Sequence, residues 1–156
     1  ASIIVNTSFL LPNRITIDGS GFDVRISYVG SGQAMFFSNS DFGSSFSLRE
    51  LVFENCTGPL FLLENYGSSL DVSNCLFENN DLTSSTSALI RTSADVVIDS
   101  SRFIKNMTDA SCVDFKGVSL SVSNSEFDSN RGFDGVCINA NSASSVLIDY
   151  VTFSNI

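Results

Sequence analysis

The sequence predicts an all-β protein that winds into a right-handed parallel β-helix of about six coils, each of roughly 25 residues. Three observations predict this fold: a phenylalanine recurs at nearly constant spacing, two apolar residues precede it at strand spacing, and an asparagine follows it. A fixed period of this size indicates stacked units that share one continuous core. The recurring phenylalanines are Phe22, Phe53, Phe77, Phe103, Phe127 and Phe153.

The first element of each unit is a short strand that ends before the phenylalanine. One apolar side chain lies seven residues before the phenylalanine and another lies five before it, which is the spacing of one strand face. β-branched and aromatic residues dominate these positions and no helical periodicity occurs, so we expect strands and no helix. The pairs are Ile15 and Ile17, Phe46 and Leu48, Leu70 and Val72, Val96 and Ile98, Leu120 and Val122, and Val146 and Ile148.

A bend precedes each phenylalanine and a turn follows it. Small polar residues such as Ser73-Asn74 fill the bend and favour it through hydrogen bonds from side chain to backbone. The asparagine two or three residues after the phenylalanine tolerates left-handed backbone and can bond to the next coil, so we predict a structural role for it. These asparagines are Asn55, Asn80, Asn106, Asn130 and Asn155.

A second apolar pair then predicts a second strand in each unit. Since equivalent strands recur once per unit in one direction, we expect them to pair in parallel about 4.8 Å apart, giving a rod roughly 30 Å long. The phenylalanines would form a stack along this rod, each buried ring contributing on the order of 2 kcal/mol. The second pairs are Ala34 and Phe36, Leu60 and Leu62, Ala88 and Ile90, Val113 and Phe115, and Val136 and Ile138.

The composition limits the partners of the chain. Its 156 residues carry a formal net charge of −9, which excludes nucleic acid as a partner and disfavours an anionic membrane surface. No apolar run approaches the roughly 20 residues that span a bilayer, so we expect no membrane insertion of this segment. Because the chain starts at Ala1 and stops at Ile156 in the middle of a unit, we expect 1–156 to be a single β-helix segment from near the start of a larger β-helix protein.

Few residues of the chain suit catalysis. Asp99 and Asp149 both lie four residues before their phenylalanines, and Arg49 shares that position. The two carboxylates would lie two coils, roughly 10 Å, apart, which is long for an inverting pair of acids. Histidine, the commonest proton shuttle and metal ligand, does not occur in the sequence. We therefore interpret both acids as solvated bend residues and predict no catalytic, cofactor-binding or metal-binding residue.

The four cysteines contain no Cys-x-x-Cys motif, and we expect them to be structural. Cys112 and Cys137 lie about one coil apart, so they would stack at a distance that a disulfide allows. Cys56 and Cys75 are closer in sequence and could bridge across a bend. We predict disulfides 56–75 and 112–137, with buried free thiols that fill the core as the alternative.

Three acceptor triplets for N-glycosylation occur, beginning at Asn6, Asn55 and Asn106. Asn55 and Asn106 are expected in the same turn region, two coils apart, where a glycan could project outward. Together with the even number of cysteines and the acidic surface, these triplets favour a eukaryotic secretory route. With a bacterial surface origin the triplets would be coincidental.

Two motifs carry a resemblance to a known family. The segment 15–21 (Ile-Thr-Ile-Asp-Gly-Ser-Gly) resembles the opening of right-handed parallel β-helix proteins of the pectate-lyase-like superfamily. Phe77 to Asn80, Phe103 to Asn106 and Phe127 to Asn130 are Phe-x-x-Asn motifs similar to polymorphic outer membrane protein-type repeats of chlamydiae. The Gly-Gly-Ala-Ile motifs of those repeats have no counterpart here, and Ser-Ala-Leu-Ile at 87–90 is the nearest segment. The resemblance implies a secreted or cell-surface β-helix.

We therefore expect an extracellular structural or adhesive rod that is not an enzyme. Its outer faces would present glycans and the loops 38–47, 80–87 and 139–145 to other extracellular proteins or to carbohydrate, and rods could assemble laterally. One alternative is a carbohydrate-active enzyme or carbohydrate-binding β-helix, since enzymes with this fold cleave polysaccharides. The other is an autotransporter-like passenger segment that binds host surfaces.

Overall fold

A computed structural model describes residues 1–7, 9–10, 15–30, 33–39, 45–58, 61–66, 69–82, 86–132 and 136–156. These residues form short strands and, within those ranges, no helix. The strands stack in parallel as a β-solenoid of about five turns with ~26 residues per turn, which confirms the predicted fold class. None of the described segments is a helix long and apolar enough to cross a membrane.

The strands, in chain order, are β1 (Ser2–Val5), β2 (Phe9–Leu10), β3 (Ile15–Asp18), β4 (Val24–Tyr28), β5 (Ala34–Asn39), β6 (Ser45–Arg49), β7 (Leu51–Glu54), β8 (Phe61–Tyr66), β9 (Ser69–Ser73), β10 (Leu76–Glu78), β11 (Asp81–Leu82), β12 (Ala88–Thr92), β13 (Val96–Asp99), β14 (Arg102–Ile104), β15 (Met107–Thr108), β16 (Ser111–Phe115), β17 (Ser119–Ser123), β18 (Glu126–Asp128), β19 (Ile138–Asn139), β20 (Ser145–Asp149) and β21 (Thr152–Ser154).

Three long parallel sheets form the walls of the solenoid. Sheet A has the order β1-β4-β7-β10-β14-β18-β21, sheet B has β2-β5-β8-β12-β16-β19, and sheet C has β3-β6-β9-β13-β17-β20. Each turn of the chain passes from sheet C to sheet A and then to sheet B. A short sheet of β11 and β15 lies between sheets A and B in sequence. The interior between the walls is filled by one continuous cluster of buried apolar side chains.

Five of the six predicted phenylalanines form a stack on the inner face of sheet A. Phe53, Phe77, Phe103, Phe127 and Phe153 pair in register, with ring centroids 4.8, 4.8, 4.6 and 5.3 Å apart. Adjacent ring planes are tilted by at most 18°. The rings therefore follow the strand spacing and pack face to face along the solenoid axis.

Phe22 is the exception, and its prediction was wrong. Its side chain is 77 % exposed, and Ile26 of β4 is the residue that pairs with Phe53. Phe22 lies in the turn after β3, where its amide donates a hydrogen bond to the Gly19 carbonyl. This turn adds residues between β3 and β4. The residue one coil before Phe53 is therefore Ile26 and not Phe22.

The inner face of sheet C carries the predicted aliphatic pairs, and sheet B departs from simple alternation. In sheet B both Leu62 and Leu63 belong to the core, as do Leu89 and Ile90. Ala34, Phe61 and Ala88 form a separate small buried cluster. The register departs from the predicted second pairs in two coils, where Leu63 aligns in place of Leu62 and Val113 in place of Phe115. The aligned residues are Phe36, Leu63, Ile90, Val113 and Ile138. Leu60 lies outside the described residues.

An asparagine ladder forms the corner between sheets A and B. Asn80, Asn106 and Asn130 are buried, and each donates from Nδ2 to the carbonyl of a stacked phenylalanine one coil below, at 2.8–3.0 Å. The backbone amides of Asn80 and Asn106 donate in turn to the Oδ1 of the next asparagine. The predicted bonding between coils is present for these three.

Asn55 and Asn155 do not belong to this ladder. They lie one residue earlier in the unit, at exposed positions with φ of 54° and 50°. In the coil of Asn55, Cys56 occupies the ladder position, and its amide donates to Asn80 Oδ1 at 3.0 Å. The corner thus uses one left-handed residue followed by one ladder residue.

The corner between sheets C and A has the same design. Cys75, Ser101 and Ser125 form a second ladder, in which the backbone amides of Cys75 and Ser101 donate to the Oγ of the serine in the next coil at 3.2 and 3.1 Å. Each ladder residue is preceded by a left-handed residue. Both corners therefore give their buried amides a partner in the next coil, as buried backbone groups require.

Candidate functional site

The acids chosen from the sequence are bend residues. Asp99 and Asp149 lie in one row of sheet C with Ser123 between them, as predicted. Asp99 Oδ1 accepts hydrogen bonds from Ser123 Oγ at 2.6 Å and Asn124 Nδ2 at 2.9 Å. These hydrogen bonds, with one from Ser100, hold the pKa of the Asp99 carboxyl below its usual value. Asp99 is therefore occupied by its neighbours in the next coil.

Arg49 does not complete a site with these acids. It is in the same row but pairs with Asp71, with Nη2 3.3 Å from Oδ2. Asp128, the last residue of β18 in sheet A, repeats the arrangement of Asp99. Its Oδ1 accepts hydrogen bonds from Ser154 Oγ at 2.6 Å and Asn155 Nδ2 at 2.7 Å. These hydrogen bonds likewise lower the Asp128 pKa.

A second set of charged residues, not found from the sequence, forms a row on sheet B. We call Glu64, Arg91, Asp114 and Asn139 the polar row, because the four pair in register on consecutive coils. Each follows the aligned apolar residue of its strand by one position. At strand spacing, Glu64 and Asp114 lie two coils, about 10 Å, apart. The structure thus brings two carboxylates to either side of one guanidinium.

Arg91 is held from several directions within the polar row. Its Nε lies 2.8 Å from Asp114 Oδ2, and its Nη2 donates to the Thr86 carbonyl at 2.9 Å. The guanidinium carbon lies 4.0 Å from the centroid of the Phe61 ring, a cation–π contact. Asp114 also lies 3.5 Å from Lys116 Nζ and accepts from Asn139 Nδ2 at 3.3 Å. The Arg91 and Asp114 side chains are thereby fixed and mutually neutralised.

Glu64 is the unusual member of the polar row. The residue is 1 % exposed, and its Oε1 accepts a hydrogen bond from the Tyr66 hydroxyl at 2.6 Å. Its Oε2 is buried and has no hydrogen-bond partner among the described residues. Burial, followed by the hydrogen bond to Glu64, raises the pKa of Tyr66 to about 12, so Tyr66 remains a donor at neutral pH. A buried carboxylate oxygen without a donor is costly and marks a candidate functional group.

The outer face of sheet C forms an open groove of about 450 Å³, whose lining is mixed and exposes more apolar than polar surface. It is lined by hydroxyls of Ser45, Ser69 and Ser119 and by the carboxylates of Asp71 and Asp95, with Val97 among them. The polar side chains repeat at strand spacing along the axis, so the groove offers hydrogen-bonding groups at regular intervals. Within the described ranges, no group of three or more acidic, Cys or His residues could hold a metal ion.

All four cysteines are buried free thiols, so the predicted disulfides were wrong. Cys56 and Cys75 belong to ladders at different corners, which separates them. Cys112 and Cys137 occupy adjacent coils of sheet B, as the spacing predicted. Burial, followed by the nearby Cys137, raises the pKa of the Cys112 thiol well above its usual value, which suppresses the reactive thiolate. The alternative of thiols that fill the core is the one observed.

The three glycosylation triplets lie in different environments. Asn6 and Asn55 are exposed, whereas Asn106 is a ladder residue that is 1 % exposed. Asn55 and Asn106 are therefore not equivalent positions, contrary to the prediction. Of the predicted presentation loops, 139–145 is described throughout and includes exposed residues, whereas 38–47 and 80–87 extend partly outside the described residues.

Comparison with protein-family models, curated proteins and solved structures finds no significant match for the chain. Fold and site geometry are therefore the basis for inferring its function.

Proposed function

We propose that this chain is part of an extracellular, non-catalytic rod with a structural or adhesive role. The observation that carries the proposal is the continuity of the ladders. The phenylalanine stack crosses five coils, and the asparagine and serine ladders bond coil to coil on either side of sheet A. Bending the solenoid would disturb all three at once, so the interior favours stiffness.

The outer surface supports a role in presentation. The carboxylates of Asp99 and Asp128 are satisfied by side chains of the next coil, which leaves them as parts of the scaffold. The groove on sheet C and the loop 139–145 remain available to extracellular proteins or carbohydrate, and the net charge of −9 keeps rods soluble. Lateral contact between rods is included in this proposal.

An adhesion assay with a matched unfolded control tests the proposal. The chain is labelled and applied to arrays of extracellular-matrix proteins, glycans and intact cells. The control is Phe103→Asp, which places a charge in the phenylalanine stack without changing the outer residues. We expect saturable binding by the folded chain and its loss in the control. Binding by neither protein, or equal binding by both, would refute an adhesive rod.

A second candidate, a carbohydrate-binding or carbohydrate-active β-helix, is favoured by one observation. Glu64 Oε2 is a buried acceptor without a donor, and a sugar hydroxyl that displaced the side chains covering it would supply one. The test incubates the chain with acidic polysaccharides, with and without calcium, and measures binding and new reducing ends. Glu64→Gln and Asp114→Asn should abolish either signal, whereas the exposed Glu50→Gln should not. Unchanged signals in all three variants would exclude this site.

The Phe-x-x-Asn motifs support a third assignment, kinship with polymorphic outer membrane protein-type repeats of the pectate-lyase-like superfamily. Under that assignment the rod is an autotransporter-like passenger segment. Native material distinguishes it from a eukaryotic secreted protein, because only the latter is expected to carry N-linked glycans at exposed acceptor triplets.

A further inference from the structure

We infer that Asn55 is an N-glycan acceptor and that folding excludes a glycan from Asn106. The inference rests on the proposed extracellular role, because the modification requires a secretory route. The sequence offers both residues as acceptors of one type, Asn-Cys-Thr at 55–57 and Asn-Met-Thr at 106–108. In the fold, Asn55 lies one residue earlier in its unit than Asn106 does in its own. This difference leaves the side-chain amide of Asn55 exposed and buries that of Asn106.

Asn55 occupies the outer position of its corner. It has a φ of 54° and is exposed, and its side chain makes no hydrogen bond within the described part of the chain. The hydroxyl-bearing Thr57 of the same triplet is also exposed. Its backbone amide donates to the Tyr28 carbonyl at 2.8 Å, and its carbonyl accepts from the Gly30 amide at 3.4 Å. Cys56 between them points inward to the ladder. A group attached to Asn55 Nδ2 therefore extends into solvent without disturbing the ladder.

Asn106 has neither a free proton nor free space. Its Nδ2 carries two hydrogens, and both are donated, to the Phe77 carbonyl at 2.9 Å and to Asn130 Oδ1 at 3.0 Å. The side chain is buried, and Thr108 of the triplet is only 2 % exposed. A glycan on Nδ2 would remove one of these hydrogen bonds and would require a bulky polar group inside the corner. A chain glycosylated at Asn106 therefore cannot close the ladder.

The transfer itself uses a lipid-linked oligosaccharyl pyrophosphate as donor. Nδ2 of the asparagine forms a bond to the anomeric carbon, and the bond from that carbon to the pyrophosphate oxygen breaks. The displaced amide proton passes to a base of the transferase, and the lipid pyrophosphate leaves. Asn55 can undergo this reaction before or after its coil folds, whereas Asn106 is accessible only while the ladder is open.

A glycan at Asn55 also determines which faces can meet a partner. It covers the corner between sheets A and B, next to the exposed Asn79 of the following coil. The groove on sheet C is on another wall of the solenoid and stays uncovered. Partner contacts of the glycosylated rod are thereby directed to sheet C and the loop 139–145.

Glycopeptide mass spectrometry of the folded chain secreted from eukaryotic cells tests the inference. We expect a glycan on the Asn55 peptide and none on the Asn106 peptide. Thr57→Ala removes the acceptor triplet and should remove the glycan mass without changing the circular dichroism spectrum or the urea midpoint. Phe103→Asp prevents the ladder from closing, so its retained, unfolded fraction should carry a glycan at Asn106.

A bare Asn55 in secreted molecules, or a glycan at Asn106 in folded ones, would overturn the inference. An Asn106 that stays bare in the unfolded variant would also overturn it, because local sequence and not folding would then be the cause. These outcomes are independent of the proposed adhesive role. Adhesion by a chain with bare Asn55 would leave the rod proposal intact, and a glycosylated chain that binds nothing would refute only the rod proposal.

Discussion

Single residues at the corners decide how well neighbouring coils are joined. The two cysteines at the lower ends of the ladders occupy positions where other coils have Asn or Ser. Cys56 Sγ accepts from the Tyr28 amide at 3.3 Å and approaches the Ile26 carbonyl at 3.8 Å. The equivalent Asn106 makes an Nδ2 bond of 2.9 Å to its phenylalanine carbonyl. Sulfur is the weaker hydrogen-bonding atom, so the ladder is weakest at Cys56.

Cys56→Asn should therefore stabilise the chain. The new Oδ1 can accept from the Tyr28 amide and the new Nδ2 can donate to the Ile26 carbonyl, extending the asparagine ladder by one coil. We expect a gain of about 1 kcal/mol in the free energy of unfolding. Urea denaturation of the purified variant measures it.

Cys75 provides the matched control because it belongs to the serine ladder. Cys75→Ser should stabilise by a similar mechanism, since Ser101 and Ser125 already accept from the amides one coil below. Cys75→Asn should destabilise, because the amide is too large for that corner. If Asn were tolerated equally at both positions, the assignment of distinct ladders would be wrong.

The carboxylates at the bends predict an acid-sensitive contribution to stability. Hydrogen bonds lower the pKa of Asp99 in the folded chain from an ordinary value of 3.8. A lowered folded pKa means that the stabilisation is fully present above the unfolded pKa and is lost as pH falls through the folded pKa. Urea midpoints should therefore decline as pH falls below about 4, and Asp99→Asn should reduce that decline.

Asp149→Asn is the control for this titration. Asp149 shares the row of Asp99 but has no side-chain hydrogen bond within the described part of the chain. Its replacement removes a charge but no hydrogen bond, so it should change the urea midpoint less than Asp99→Asn does. An equal effect of both replacements would indicate general charge repulsion in place of the hydrogen bonds to Ser123 and Asn124.

Among the elements, the phenylalanine stack contributes most apolar burial along sheet A. Phe103 is fully buried between two rings, whereas Phe153 is 46 % exposed and contacts one ring. Phe103→Ala should cost about 3–5 kcal/mol of unfolding free energy. Phe153→Ala should cost about 1 kcal/mol, because half of its surface remains in water.

Phe22→Ala completes this series as a replacement outside the stack. With 77 % of its side chain exposed, its loss should change the free energy of unfolding by about 0.5 kcal/mol or less. Chemical denaturation of the three variants under one condition gives the ranking. A cost at Phe22 comparable to that at Phe103 would contradict the register in which Ile26 precedes Phe53.

The same elements show what the sequence could predict. From Phe53 onward, the number of residues between the sheet C strand and the phenylalanine is constant. Counting residues therefore aligns equivalent positions of sheets C and A, and the phenylalanine stack was predictable from the sequence. The path from the asparagine corner to sheet B varies in length. Glu64, Arg91, Asp114 and Asn139 follow their phenylalanines by 11, 14, 11 and 12 residues. Counting from the phenylalanine therefore scatters the polar row, and only strand pairing brings it together.

The prediction that Asn55 and Asn106 occupy equivalent positions was wrong for a related reason. Asn55 and Asn106 differ by one residue in their distance from the phenylalanine, and in a corner one residue separates the exposed left-handed position from the buried ladder position. The sequence identifies both as turn asparagines. It does not say which of them faces inward. Cys56 occupies the ladder position in the coil of Asn55, so that coil has no asparagine at the buried position to show that Asn55 lies one residue earlier.

For the whole molecule, in-register pairing means that one complete turn can be removed while the phenylalanine and aliphatic rows of the core stay continuous. Met107 and Arg131 are bridge partners on adjacent coils. Deleting 107–130 therefore joins Asn106 directly to Arg131, which stacks above Met107. Phe103 would then meet Phe153, Ile90 would meet Ile138, and Ile98 would meet Ile148. Apolar residues meet apolar residues in these three inner rows.

We therefore expect the chain lacking 107–130 to fold, with a β-type circular dichroism spectrum and one cooperative urea transition at a lower midpoint. Stability in a solenoid is approximately the sum of repeat and interface contributions, so removing one turn removes one interface. Deleting only 107–118 would attach Ser119 to Asn106 and place sheet C residues where sheet B must continue, so that variant should not fold. Equal damage from both deletions would show that the turns do not act as interchangeable units.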